Sequence, residues 1–128
     1  MKFTMTRPCD DCPFRKVDGI ALTKERIKEI SRCMLDSQGG TFPCHRTVDY
    51  EGGDESEEVH CAGALAYALK QDTLPQIARI VERMGDMNAN AILDNSGDLV
   101  WDSERQWLKH GGAYQRMIRS ARHGSKKP

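Results

Sequence analysis

The sequence predicts a mainly α fold: about five short helices and one small β-hairpin in a single domain stabilised by a metal. Three observations carry this reading. Apolar residues recur at helical spacing around 24–36 and 75–84, and residues 62–71 are rich in alanine and leucine. Strand signals are confined to one short stretch around Asp94-Asn95-Ser96-Gly97-Asp98. Cys9, Cys12, Cys44 and Cys61 stand in polar, turn-rich contexts and not on apolar faces.

Residues 7–16 read as a tight loop, because Pro8 and Pro13 bracket the Cys9–Cys12 pair and disfavour a helix. The first helix is expected from Lys24 to Asp36. Thr23 is its N-cap, Leu22 and Ile27 sit as a hydrophobic staple, and Ile27, Ile30 and Met34 form the stripe. Cys33 lies beside that stripe and reads as a core residue. Gly39-Gly40 ends the element. Residues 41–61 form a long connection that crosses an acidic stretch, Val48 to Glu58, with six carboxylates and no base.

Cys61 opens a second helix over 62–71. A third runs over 75–84, with Pro75 at its first position and Ile77, Ile80, Val81 and Met84 on one face. Ala91-Ile92-Leu93 and Leu99-Val100-Trp101 flank the turn residues and give the expected hairpin. Two more helical pieces follow, at 103–109 and 113–122, split by Gly111-Gly112. Trp101 and Trp107 read as packing residues. The domain is expected over 1–123, with its metal site within 7–65 and a helical remainder at 66–123. Residues 124–128 form a frayed tail.

The chain has 128 residues and a formal net charge of zero, with 38% hydrophobic and 30% charged residues. Neutrality gives no global pull towards nucleic acid or membrane. No apolar run is long enough to cross a bilayer, and the first residues lack the apolar core of a signal peptide. A cytoplasmic location is therefore expected, with no membrane partner. There, five cysteines serve as thiols or metal ligands sooner than as disulfides.

A C-x2-C pair lets two sulfurs converge on one ion while the backbone turns between them, a geometry shared by zinc knuckles and iron–sulfur loops. Cys44 and Cys61 complete a tetrahedral set with Cys9 and Cys12. His45 and His60 are neighbours in sequence and stand as alternate ligands. Zinc is the first reading. The wide gap between Cys44 and Cys61, and Pro13 after Cys12, leave a [4Fe-4S] cluster as the alternative. Arg15 and Lys16 are placed to offset the charge of such a site from outside the ligand set. A Cys44–His45 thiol nucleophile is a further alternative.

The motifs Cys9-x-x-Cys12-Pro13-Phe14-Arg15, Cys44-His45 and Cys61-Ala62-Gly63, in that order, resemble a family of small bacterial and phage proteins of unknown function. The resemblance covers about residues 7–65. It implies that the four cysteines and His45 act together, and it supplies no activity. Many members have a shorter interval between C-H and C-A-G, so the acidic loop reads as an insertion.

At the C-terminus, Arg116, Arg119, Arg122, Lys126 and Lys127 are accompanied by no acid. They are candidate phosphate contacts, or a solvated cationic helix end. No glycine-rich phosphate loop, H-E-x-x-H or G-x-S-x-G is present, so nothing demands an enzyme. The expected function is that of a phage- or prophage-encoded accessory or regulatory protein. It would carry a four-cysteine structural zinc site and bind nucleic acid or a host protein. The alternatives are a [4Fe-4S] redox or sensor protein and a Cys–His thiol enzyme.

Overall fold

The computed structural model describes residues 1–36, 41–48, 51 and 58–109. The fold is mainly helical. Helices α1 (Lys24–Leu35), α2 (Ala62–Gln71), α3 (Gln76–Arg83) and α4 (Ala89–Ser96) are followed by α5, helical over 104–109. Among the described residues no helix is long and apolar enough to cross a membrane. The helix expected at 113–122, the basic residues Arg116 to Lys127, the tail at 124–128 and most of the acidic stretch lie outside the described residues.

Local chemistry sets the first two helix starts. The Thr23 side chain accepts a hydrogen bond from the Arg26 amide at 3.2 Å. Cys61 takes the same position on α2, where its sulfur accepts from the Ala64 amide at 3.4 Å. Helix α2 is the centre of the fold: every residue from Ala62 to Ala68 is buried, and α1 and α4 both pack on it. Its small side chains let neighbours approach closely. The Tyr67 hydroxyl is buried against the Ser31 hydroxyl of α1 at 2.8 Å. Thr73 donates to the Met34 carbonyl at 3.0 Å, tying the end of α1 to the exit of α2.

An aromatic cluster fills the space beside α2. Phe14 is fully buried, with ring centroids 4.9 Å from Trp107, 5.4 Å from Tyr67 and 5.4 Å from Phe42. Trp101 and Trp107 are both buried, as core residues should be.

Two expectations change. The hairpin around 94–98 is absent, and its first arm is part of α4. Asn88 caps that helix by accepting from the Ala91 amide at 3.0 Å. Ala89 and Ala91 favour helix, and Ile92 is fully buried on the face turned to α2. The cap and one buried contact outweigh the turn-forming residues, which become the last turn of α4 and its exit. Only Val100 keeps a β contact, an isolated antiparallel bridge to Arg15.

Helix α3 forms where expected, but its apolar stripe does not face the core. Ile77, Ile80 and Met84 are 43%, 44% and 69% exposed, and α3 meets the core through Ala78 and, from the stripe, Val81. Pro75 and Leu74, both buried, fix the helix start in an orientation that turns the small face inward.

Removing the Phe14 ring by Phe14→Ala leaves a cavity among three aromatic rings and α2. A loss of about 3–5 kcal/mol in unfolding free energy is expected by chemical denaturation. Tyr67→Phe removes only the buried hydroxyl pair and should cost about 1 kcal/mol, with Ser31→Ala non-additive in the same cycle.

Candidate metal centre

The loop carrying Cys9 and Cys12 is wound by consecutive turns. The Cys12 amide donates to the Cys9 carbonyl at 3.2 Å, and the Arg15 amide to the Cys12 carbonyl at 3.0 Å. Arg15 clamps the loop: its Nε donates to the Cys9 carbonyl at 2.7 Å. Gly19 closes over the same turn, where an added Cβ would lie 2.6 Å from the Cys12 carbonyl and 2.9 Å from that of Arg15. Lys16 turns away from the thiols and pairs with Asp102 at 3.4 Å.

The wide interval between Cys44 and Cys61 is bridged by a short antiparallel pairing of 42–44 with 59–61. The Cys44 amide donates to the Val59 carbonyl at 2.7 Å, and the Cys61 amide to the Phe42 carbonyl at 2.8 Å. Pro43 and His60 form the bridge between them. Cys44 therefore lies opposite Val59 and Cys61 opposite Phe42, which puts the two cysteines on one face of the pairing, on its diagonal.

These two pieces of backbone bring the four cysteines into one neighbourhood, with one close contact between sulfurs. Cys12 Sγ lies 3.3 Å from Cys61 Sγ. Cys9 is near enough to Cys12 and Cys44 for both to influence its ionisation. All five cysteines are free thiols. The sulfur of Cys12 sits in the space that Gly63 leaves on the first turn of α2, since a Cβ there would come within 2.6 Å of it. Cys12, Cys44 and Cys61 are buried, and Cys9 is half-buried at the solvent side. Cys33 is in α1, outside the group.

The solvent side is polar. His45 Nε2 lies 3.3 Å from Cys9 Sγ and 3.1 Å from Asp11 Oδ1. Arg46 Nε donates to the same carboxylate oxygen at 2.9 Å. Cys9, Asp11 and His45 lie close enough to one another to hold a metal ion. His45 thus meets Cys9, not its sequence neighbour Cys44. His60 has both ring nitrogens engaged elsewhere. Nε2 accepts from the Phe42 amide at 3.0 Å, which leaves Nδ1 as the donor to the Cys61 carbonyl at 3.2 Å. Its ring stacks on Phe3, and burial lowers its pKa to about 4, so it is a neutral core histidine. Asp11 and Arg46 carried no sequence signal of their own beyond Asp11 lying inside the C-x2-C loop.

The thiols compete for negative charge. Hydrogen bonding by Cys12, then by His45, lowers the Cys9 pKa to about 6. The Cys12 thiol is pushed well up, first by its contact with Cys61. Burial raises Cys44 to about 11. Like charges in one pocket oppose each other's ionisation, and a divalent cation among them would reverse that. The 3.3 Å between the Cys12 and Cys61 sulfurs is shorter than the tetrahedral S–S edge of about 3.8 Å that Zn–S bonds of about 2.3 Å set, and among the described residues the ligand atoms within reach of one ion are those of Cys9, Asp11 and His45.

A family model described as a family of unknown function (DUF6283) matches residues 4–122, a span that includes all four clustered cysteines. No curated protein and no solved structure matches the chain.

Gly63→Ala forces a methyl group against the Cys12 sulfur and the Phe14 and Pro8 side chains. A destabilisation of about 1–3 kcal/mol is expected from overpacking. Thermal melting checks it, with Gly85→Ala, where no atom lies within 4 Å of the added carbon but φ is 84°, as a backbone-only comparison.

Proposed function

The chain belongs to this family, DUF6283, and we propose that Cys9, Cys12, Cys44 and Cys61 hold one zinc ion as the structural centre of a protein that works by binding. What supports the reading is that four cysteines from three chain segments share one neighbourhood, three buried and one half-buried, with the Cys12 and Cys61 sulfurs 3.3 Å apart and Cys9, Asp11 and His45 close enough to hold an ion. Four thiolates saturate zinc and leave no open position, which is the arrangement of a structural site, not a catalytic one. Arg15, held on the Cys9 carbonyl, keeps the loop in shape and brings a positive charge near the thiolates. His45 and Asp11 form the outer edge of the site, with His45 the replacement ligand nearest to Cys9.

The accessory or regulatory role follows from what such a centre does: it fixes a surface, and the surface meets a partner. The partner is a nucleic acid or another protein. A reducing compartment such as the cytoplasm would keep the thiols free for metal.

The contact between sulfurs favours a single ion over a [4Fe-4S] cluster, whose thiolates bind separate irons and stand further apart. The Cys9–His45 contact supports a second reading, thiol chemistry at Cys9.

Metal analysis of protein purified without oxygen should find one zinc per chain and no visible absorption. Iron with a broad brown absorption sinks the zinc reading in favour of the cluster. Cys12→Ser or Cys61→Ser should lose the metal and unfold the chain at moderate temperature, because metal affinity is folding free energy in such sites. With zinc bound, iodoacetamide should leave Cys9 intact. Rapid alkylation of Cys9 in zinc-loaded protein would support the thiol reading.

A further inference from the structure

Charge is divided along the chain. Residues 48–58 hold six carboxylates and no base, whereas 105–128 hold Arg105, Lys109, Arg116, Arg119, Arg122, Lys126 and Lys127 and no acid. The described part of the basic region is α5, and it lies beside α1. Lys24, Lys28, Glu104, Arg105, Leu108 and Lys109 line one open groove of about 480 Å³ between the two helices.

Lys24 and Lys28 are one helical turn apart on α1, and Arg105 and Lys109 are one turn apart on α5. Each wall of the groove therefore carries two cations separated by a rise of about 6 Å. All four side chains are exposed. Among the described residues none of the four has an ion pair or a side-chain hydrogen bond. The one acid lining the groove, Glu104, is already drawn to Arg32 of α1 at 3.7 Å.

Cations one turn apart repel each other by a few tenths of a kcal/mol per pair, and among the described residues Glu104 is the one carboxylate that lines the groove beside them. A polyanion with regularly spaced charges relieves both walls at once. Leu108 is half-buried and no aromatic ring lines the groove, so nothing there stacks on bases. Cations on two facing walls suit one backbone running between them.

We propose that the groove between α1 and α5 binds the phosphate backbone of a single-stranded nucleic acid, through Lys24, Lys28, Arg105 and Lys109 and without reading its sequence. This deepens the partner half of the function proposed above and does not depend on the identity of the metal.

The test uses the full chain with its native metal content and a fluorescently labelled oligothymidine, read by anisotropy between about 50 and 200 mM salt. Four phosphate contacts predict a slope of log affinity against log salt of about −3, and binding that weakens steeply over that range. The variant with Lys24→Gln, Lys28→Gln, Arg105→Gln and Lys109→Gln should bind at least about tenfold more weakly at the lower salt, with a flattened slope. Its metal content and melting temperature serve as the control, and they separate failure of this groove from failure of the zinc site.

Wild-type binding from a folded quadruple variant overturns the proposal, as does no binding by the wild type at low salt. A duplex of random sequence that binds as tightly as the single strand overturns the single-strand assignment. Polyglutamate that competes as well as oligothymidine points to an acidic protein partner and overturns the nucleic-acid one. If neutralising Arg116, Arg119 and Arg122 abolishes binding while the groove variant retains it, the contact lies elsewhere.

Discussion

The sulfur of Cys12 occupies the place where residue 63 would otherwise carry a side chain, and the arrangement of the molecule depends on that contact. It seats the C-x2-C loop on the first turn of α2. Once the loop is seated, Phe14, two residues on, enters the core between Tyr67 of α2, Trp107 of α5 and Phe42. Cys61, at the cap of α2, faces Cys12 because both converge on the same helix end. The thiol group and the hydrophobic core are therefore one structure. A proline and a phenylalanine directly after Cys12 leave no slack between them.

The site has two sides of different character. Cys12, Cys44 and Cys61 face the protein; the contact with Cys61 disfavours a thiolate at Cys12, and burial does so at Cys44. Cys9 faces His45, Asp11 and Arg46, where hydrogen bonds and positive charge favour one.

Much of this was legible in the sequence where a local signal was not in competition with a distant one. Thr23 and the stripe Ile27, Ile30, Met34 gave α1 within a residue, and Cys61 followed by alanines gave α2. The four cysteines are grouped in the sequence by their turn-rich contexts, and the fold buries three of them in the core. What failed was decided by contacts remote in sequence. Asp94 to Asp98 has turn composition, yet Ile92 buries itself on α2 and the Asn88 cap commits the segment to helix. The stripe on α3 has the right period, but with Leu74 and Pro75 buried at its start the helix turns Ala78 and Val81 to the core and leaves Ile77, Ile80 and Met84 exposed. His60 has the sequence position of a ligand, and only the partners of its two nitrogens show that it is a core residue. Arg15 and Lys16 are neighbours with equal charge, but the tertiary fold sends one to the Cys9 carbonyl and the other to Asp102.

The antiparallel pairing of 42–44 with 59–61 separates the geometry of the thiols from the length of chain between them. Two backbone hydrogen bonds and one buried histidine hold the stem, so residues can be added to or removed from the connection beyond it without moving either sulfur. Closing a longer loop is inexpensive: each doubling adds only about 0.6 kcal/mol of chain entropy. The stem thus makes this connection the place where the chain can gain or lose segments by insertion and deletion. A fixed centre can in that way acquire new surface chemistry without being refolded around it.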